Sequence, residues 1–204
     1  MIEEAVFTLR PDEALLVRPE VPHSTVGGRG PIEHFVLRMP AYDDRESVGE
    51  VPDDVPRATA EDERGLERDW GCRVPLTETP YQNCWLFGVG EVRFRSDHIY
   101  LAYLNLPTEE SAVANWRSHP HQLHAHRESW EYYTVLARKK TLRIDDTPVG
   151  IEAGEILEVP PGVKHVAEAI ETPYQGFTFR APRRDDKVVL AYGSEDGRRL
   201  AHQG

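Results

Sequence analysis

His124-Ala125-His126-Arg127-Glu128-Ser129-Trp130-Glu131 is the stretch on which the reading of this chain turns. In an extended strand, residues two apart face the same way, so His124 and His126 point to one side together. Glu131 follows from the same or the next strand, past a short bend. A second block lies downstream: Gly154, Pro160, Gly162 and His165. Its spacing of Gly and Pro predicts a tight turn that sets His165 on a neighbouring strand. Three imidazoles and one carboxylate form a donor set for a divalent transition metal, and they leave coordination positions free for substrate. A lone His-x-His is more simply read as solvated histidines. The joint spacing from residue 124 to residue 165 favours a metal site.

The sequence around these blocks is β-rich. Residues 84–87, 92–94, 98–106, 155–159 and 176–180 read as strands, and 131–144 as two strands with a turn near Arg138-Lys139. Residues 108–118 read as a loop or short helix. Sixteen prolines and fifteen glycines in 204 residues suit short strands with frequent turns. From Glu131 the alternation predicts Tyr133 and Val135 facing inward, and it also places Phe177 in the interior. Tyr133 is the candidate for donating a proton to a bound ligand.

The net charge of −11 argues against nucleic acid and anionic membranes as partners. No apolar run is long enough to span a membrane, and the first residues lack the pattern of a signal peptide. The expectation is a cytoplasmic protein. Cys72 and Cys84 read as reduced core fillers. Residues 45–70 form an acidic, proline-bearing linker, and residues 191–204 a flexible polar tail.

Residues 13–44 also repeat residues 155–186 without a gap. Identical pairs include Glu13/Glu155, Leu15/Leu157, Val17/Val159, Val21/Val163, His23/His165, Phe35/Phe177, Arg38/Arg180 and Asp44/Asp186. Residues 1–44 therefore read as a partial copy of the later domain, which spans 71–190. His23 has no His-x-His or Glu upstream, so it reads as a relic or packing residue. The half-repeat exposes strand edges, and exchange of those edges between protomers predicts a homodimer.

The two histidine blocks resemble the paired motifs of the cupin superfamily, G-x5-H-x-H-x(3,4)-E-x6-G and G-x5-P-x-G-x2-H-x3-N. The resemblance covers roughly residues 84–182. It implies an all-β fold: a cupin-type double-stranded β-helix, or jelly-roll barrel, with an N-terminal half-barrel extension. His124, His126, Glu131 and His165 occupy its metal-ligand positions. Ser118, Arg138 and Ala169 depart from it at a motif Gly, a second motif Gly and the final Asn. These departures bear on turns, not on ligation.

The expected cofactor is a divalent transition metal, Fe(II) or Mn(II) first, with Ni(II) or Zn(II) as alternatives. The first functional reading is a mononuclear non-haem dioxygenase acting on a small chelating or anionic organic substrate. Metal-assisted sugar isomerisation or epimerisation is the second, with Glu158 or Glu168 as base by residue type. A non-catalytic binding or sensor module is the third. His119 and His121 could extend the site or be solvated. Lys139, Lys140 and Arg143 could hold an anion or form a solvated hairpin.

Overall fold

A computed structural model describes residues 2, 6–11, 13–25, 30–31, 34–38, 46–47, 49, 71–76, 83–88, 94–118 and 122–192. Residues 50–70 of the acidic linker, His119, His121 and residues 193–204 lie outside the described residues, as do the side chains of Cys72 and Cys84. The chain forms two compact units, Met1–Glu78 and Thr79–Gly204. In the first, β1 (Glu13–Val17) pairs antiparallel with β2 (Gly71–Pro75). An isolated bridge joins Ile2 to His23.

The second unit carries the histidine blocks. Its elements are β3 (Asn83–Gly88), β4 (Phe94–Arg95), β5 (Tyr100–Leu106), α1 (Glu109–Ser118), β6 (Gln122–His126), β7 (Trp130–Ala137), β8 (Lys139–Ile144), β9 (Thr147–Glu152), β10 (Ile156–Val159), β11 (His165–Ile170), β12 (Tyr174–Ala181) and β13 (Lys187–Tyr192). One sheet has the order β10-β7-β12-β5-β3-β4, the other β13-β6-β11-β8-β9. Successive strands from β5 to β12 are thus dealt between two sheets, which is jelly-roll connectivity. Among the described residues the two sheets are not joined into one closed hydrogen-bonded barrel.

Alternation sets the core. On β7, Glu131, Tyr133 and Val135 are buried on one face, as the pattern predicts. On β8, Lys140 and Leu142 are buried and their neighbours are less so. Leu106, Leu142, Val135, Val159, Ile151 and Tyr174 form the apolar interior with Tyr133. Each fully buried side chain of this kind contributes about 1.5–3 kcal/mol. Phe177 is a correction to the sequence reading. It pairs in register with Thr134 and Tyr103, so it faces away from Tyr133, and its ring lies 5.1 Å from that of Tyr103. A bulge between Gln175 and Gly176 shifts the register of β12 against β7. Past that bulge the pairing from Phe177 to Arg180 is regular, and the phase of β12 against β7 is set by pairing, which alternation within one segment does not reveal.

Residues 108–118 resolve into a helix. Thr108 caps it: the Thr108 hydroxyl accepts from the Ser111 backbone N–H, and Ser111 Oγ accepts from the Thr108 N–H. Glu109 and Glu110 lie in the first turn and Arg117 in the last, which complements the helix dipole. Ala112 and Trp116 pack this helix against the apolar interior.

Residues 131–144 do not fold back as a hairpin. The chain leaves one sheet with β7 and enters the other with β8, and Arg138 makes the change with φ 67°. The cupin pattern has Gly here, and this chain accepts a left-handed arginine instead. Gly154 and Gly162 keep the positive φ that their turns need, 88° and 82°. Gly176 answers a different need. A Cβ there would stand 2.4 Å from the Tyr174 hydroxyl and 2.5 Å from the Thr134 carbonyl oxygen.

Candidate metal centre

His124 and His126 lie on β6, and His165 opens β11 in register with His124. All three come from one sheet. Glu131 comes from β7 in the other, so the cluster joins the two sheets across the interior. One donor atom from each residue lies within 4.8 Å of the others. Glu131 Oε2 is 2.6 Å from His165 Nε2, 3.3 Å from His126 Nε2 and 3.5 Å from His124 Nε2. Among the described residues this is the one such gathering of three or more donors.

The other ring nitrogens explain the orientation. His124 Nδ1 is 2.7 Å from the Gln122 carbonyl, and His165 Nδ1 is 3.0 Å from the Val163 carbonyl. A carbonyl can only accept, so Nδ1 carries the proton in both rings. His126 Nδ1 meets the Asp186 carboxylate at 3.1 Å. Asp186 is itself held by the Glu128 and Ser129 backbone N–H groups at 2.9 and 2.7 Å. With Nδ1 protonated, each neutral ring turns an Nε2 lone pair toward Glu131. Three lone pairs facing an acidic oxygen repel one another unless a cation sits between them. The donor set therefore fits a divalent transition metal, with imidazoles oriented from behind as metal-binding histidines are.

Electrostatics point the same way. Burial alone would raise the Glu131 carboxyl. Close contacts with the imidazoles of His124, His126 and His165, in the protonated form that can donate to it, outweigh that and hold it well below the usual carboxylate range. Burial pushes the His124 ring down, against the pull of Glu131, which favours the neutral form that a ligand needs. Asp186 follows Glu131: burial would raise it, but its backbone donors, Ser129 and His126 bring it down.

Tyr133 is buried beside the cluster, with its ring 6.1 Å from that of His165. Burial, then the charge and hydrogen bond of Glu131, lift its hydroxyl well above the ordinary tyrosine value. Lys140 departs from the expectation of a solvated hairpin. It is 4% exposed, and its ammonium lies 4.4 Å from the centre of the Tyr133 ring. Lys139 behaves as expected, 3.6 Å from Glu152. Arg143 is paired with Glu168, which accounts for both. Glu158 is exposed on β10.

Three further residues at the centre were not singled out from sequence. Asp186 backs His126, Arg180 reaches the same ring, and Tyr100 lies under Arg180. The internal repeat held a signal for two of them, since Arg180 and Asp186 are among its matched positions. Nothing in the spacing tied either to the histidines.

Strand order and motif placement agree at this point. The fold is the cupin double-stranded β-helix. No protein-family model and no curated protein matches the chain. Solved structures similar to it include a nucleoside dehydratase, Pac13 of Streptomyces, at 13% identity. That match covers 50% of this chain and 75% of that one, with a TM-score of 0.36. The DMSP lyase DddQ of Ruegeria pomeroyi is 19% identical over 55% of this chain and 53% of its own, with a TM-score of 0.39. An RmlC-like cupin family protein of Methanocaldococcus jannaschii is 20% identical over 44% of this chain and 74% of its own, with a TM-score of 0.33. No helix among the described residues is long and apolar enough to cross a membrane.

Proposed function

We propose that this protein is a metal-dependent enzyme acting on a small organic molecule, with one divalent transition metal held by His124, His126, Glu131 and His165. The observation that carries this reading is the convergence of three imidazole nitrogens on one carboxylate oxygen, with Nδ1 engaged behind each ring. Bound there, Fe(II) or Mn(II) would supply a Lewis acid and, as Fe(II), an electron source for reaction with O2.

The dioxygenase reading stands ahead of base-dependent isomerisation. Its support is the placement of the bases considered: Glu158 is solvent-exposed and Glu168 is committed to Arg143. Tyr133 keeps its proton at neutral pH and acts as a donor toward Glu131, not as a base. Asp186 holds the His126 ring in place.

Elemental analysis of untagged protein, with thermal unfolding in Fe(II), Mn(II), Ni(II) and Zn(II), tests the metal. The expected result is one ion per chain, with Tm raised by the bound ion. Both should be lost in His124→Ala and in Glu131→Ala. Protein that holds none of these ions and shows no rise in Tm would end the reading. Turnover of a chelating substrate that continues without oxygen would overturn the dioxygenase assignment and leave the metal site standing.

A further inference from the structure

Arg180 sits on β12 in register with Glu131 on one side and Tyr100 on the other. The three residues share the inner face of their sheet. The Arg180 Nη1 lies 3.4 Å from His126 Nδ1 and 3.5 Å from His126 Nε2. Its guanidinium carbon stands 5.1 Å from the centre of the Tyr100 ring. The head group is thus braced at the edge of the histidine cluster.

A guanidinium has donors only. His126 offers it no acceptor once the ring serves as a ligand. The Nδ1 proton belongs to Asp186, and the Nε2 lone pair points to the Glu131 side. Among the described residues the buried Arg180 Nε has no hydrogen-bond partner. Among the described residues no carboxylate lies within ion-pair distance of this side chain, whereas Arg143 and Arg183 each have one. A buried donor left unmatched is costly, and a fixed arginine beside a cation is more so. Lys187 adds to the positive side. It pairs in register with His126, which places it on the same face of the sheet as that ring. With a divalent ion in place, the local charge calls for an anion with an oxygen to spare.

We propose that Arg180 binds the carboxylate of the substrate, in a ligand small enough to present oxygen to the metal and to the guanidinium at once. The substrate class is therefore a small organic carboxylate carrying an adjacent oxygen donor. This rests on the metal reading above and adds the second anchor. Arg180 is a positioning residue: it sets which end of the ligand meets the ion. The planar guanidinium matches a carboxylate through two N–H groups, which lysine cannot reproduce.

The probe pair is glycolate and glycolamide, alike in shape and different in charge. Their affinities for protein loaded with Co(II) are read by calorimetry and by the visible spectrum of the ion, with metal content measured in every sample. Wild type should prefer glycolate. In Arg180→Gln that preference should shrink by about 10-fold or more, with metal content unchanged, and Arg180→Lys should recover part of it. Some preference should survive in Arg180→Gln, because the ion itself favours a carboxylate over an amide. A loaded wild type with no preference, or an Arg180→Gln protein whose preference is undiminished, would overturn this proposal alone. Wild type that takes up no metal would overturn the metal reading and this one with it.

Discussion

Residues 13–23 and 155–165 carry the same pattern of Glu, Leu, Val, Pro and His, and they share local geometry. Each begins with a strand, β1 over Glu13–Val17 and β10 over Ile156–Val159. Each ends in a histidine whose Nδ1 faces the carbonyl two residues back: His23 to Val21 at 2.9 Å, His165 to Val163 at 3.0 Å. The rings then part ways. His23 is exposed and bridges Ile2, whereas His165 is 1% exposed and pairs with His124. A short stretch of sequence can set a ring's tautomer. Whether that ring becomes a ligand depends on which strands lie opposite it.

The largest test of this contrast is a pair of substitutions. His165→Ala should abolish stoichiometric metal, and His23→Ala should leave it at the wild-type level, both read by elemental analysis. Equal metal content in the two variants would erase the distinction.

The next test concerns the interior that surrounds His165. Burial lowers the Lys140 pKa from 10.5 to about 8, with Glu131 opposing. The unfolded chain takes up this proton below 10.5 and the folded chain only below about 8, so the burial penalty is complete below pH 8 and fades as pH rises to 10.5. Lys140→Met should therefore stabilise the protein at pH 7 by about 3 kcal/mol. Urea unfolding at pH 7 and at pH 10.5 should show the gain at the first and little at the second. A gain of the same size at both would mean that charge burial is not its source.

The smallest effect belongs to the support behind a ligand. Asp186→Asn keeps the shape but weakens the hold on His126, and metal affinity should fall by about 10–100-fold. Competition with a chelating dye measures this. An affinity unchanged from wild type would show that the His126 ring is held by its strand alone.

Much of the centre was legible because its determinants are local. The two-residue spacing of His124 and His126 survives in any strand, and β6 is one. The turn glycines Gly154 and Gly162 have the positive φ that their spacing suggested. Tyr133 and Val135 face inward because β7 carries no bulge between them and Glu131. Phe177 falls on the opposite face because it stands three residues from Arg180, the register partner of Glu131, and pairing alone sets that phase. Lys140 looked like part of a charged, solvated turn beside Lys139. Two adjacent residues of a strand face opposite ways, and the sheet decides which of them is buried.

By itself the sequence determined the strands, the turns, the ligand types and the tautomers of His124 and His165, since each depends on residues a few positions apart. Only the tertiary structure decided that Glu131 crosses from the opposite sheet to meet three histidines. It alone brought Asp186 behind His126 and Arg180 beside it, from sixty and fifty-four residues away. Those meetings depend on how the jelly roll deals its strands between two sheets, and on the bulges that shift their register. Neither leaves a periodic trace in the chain.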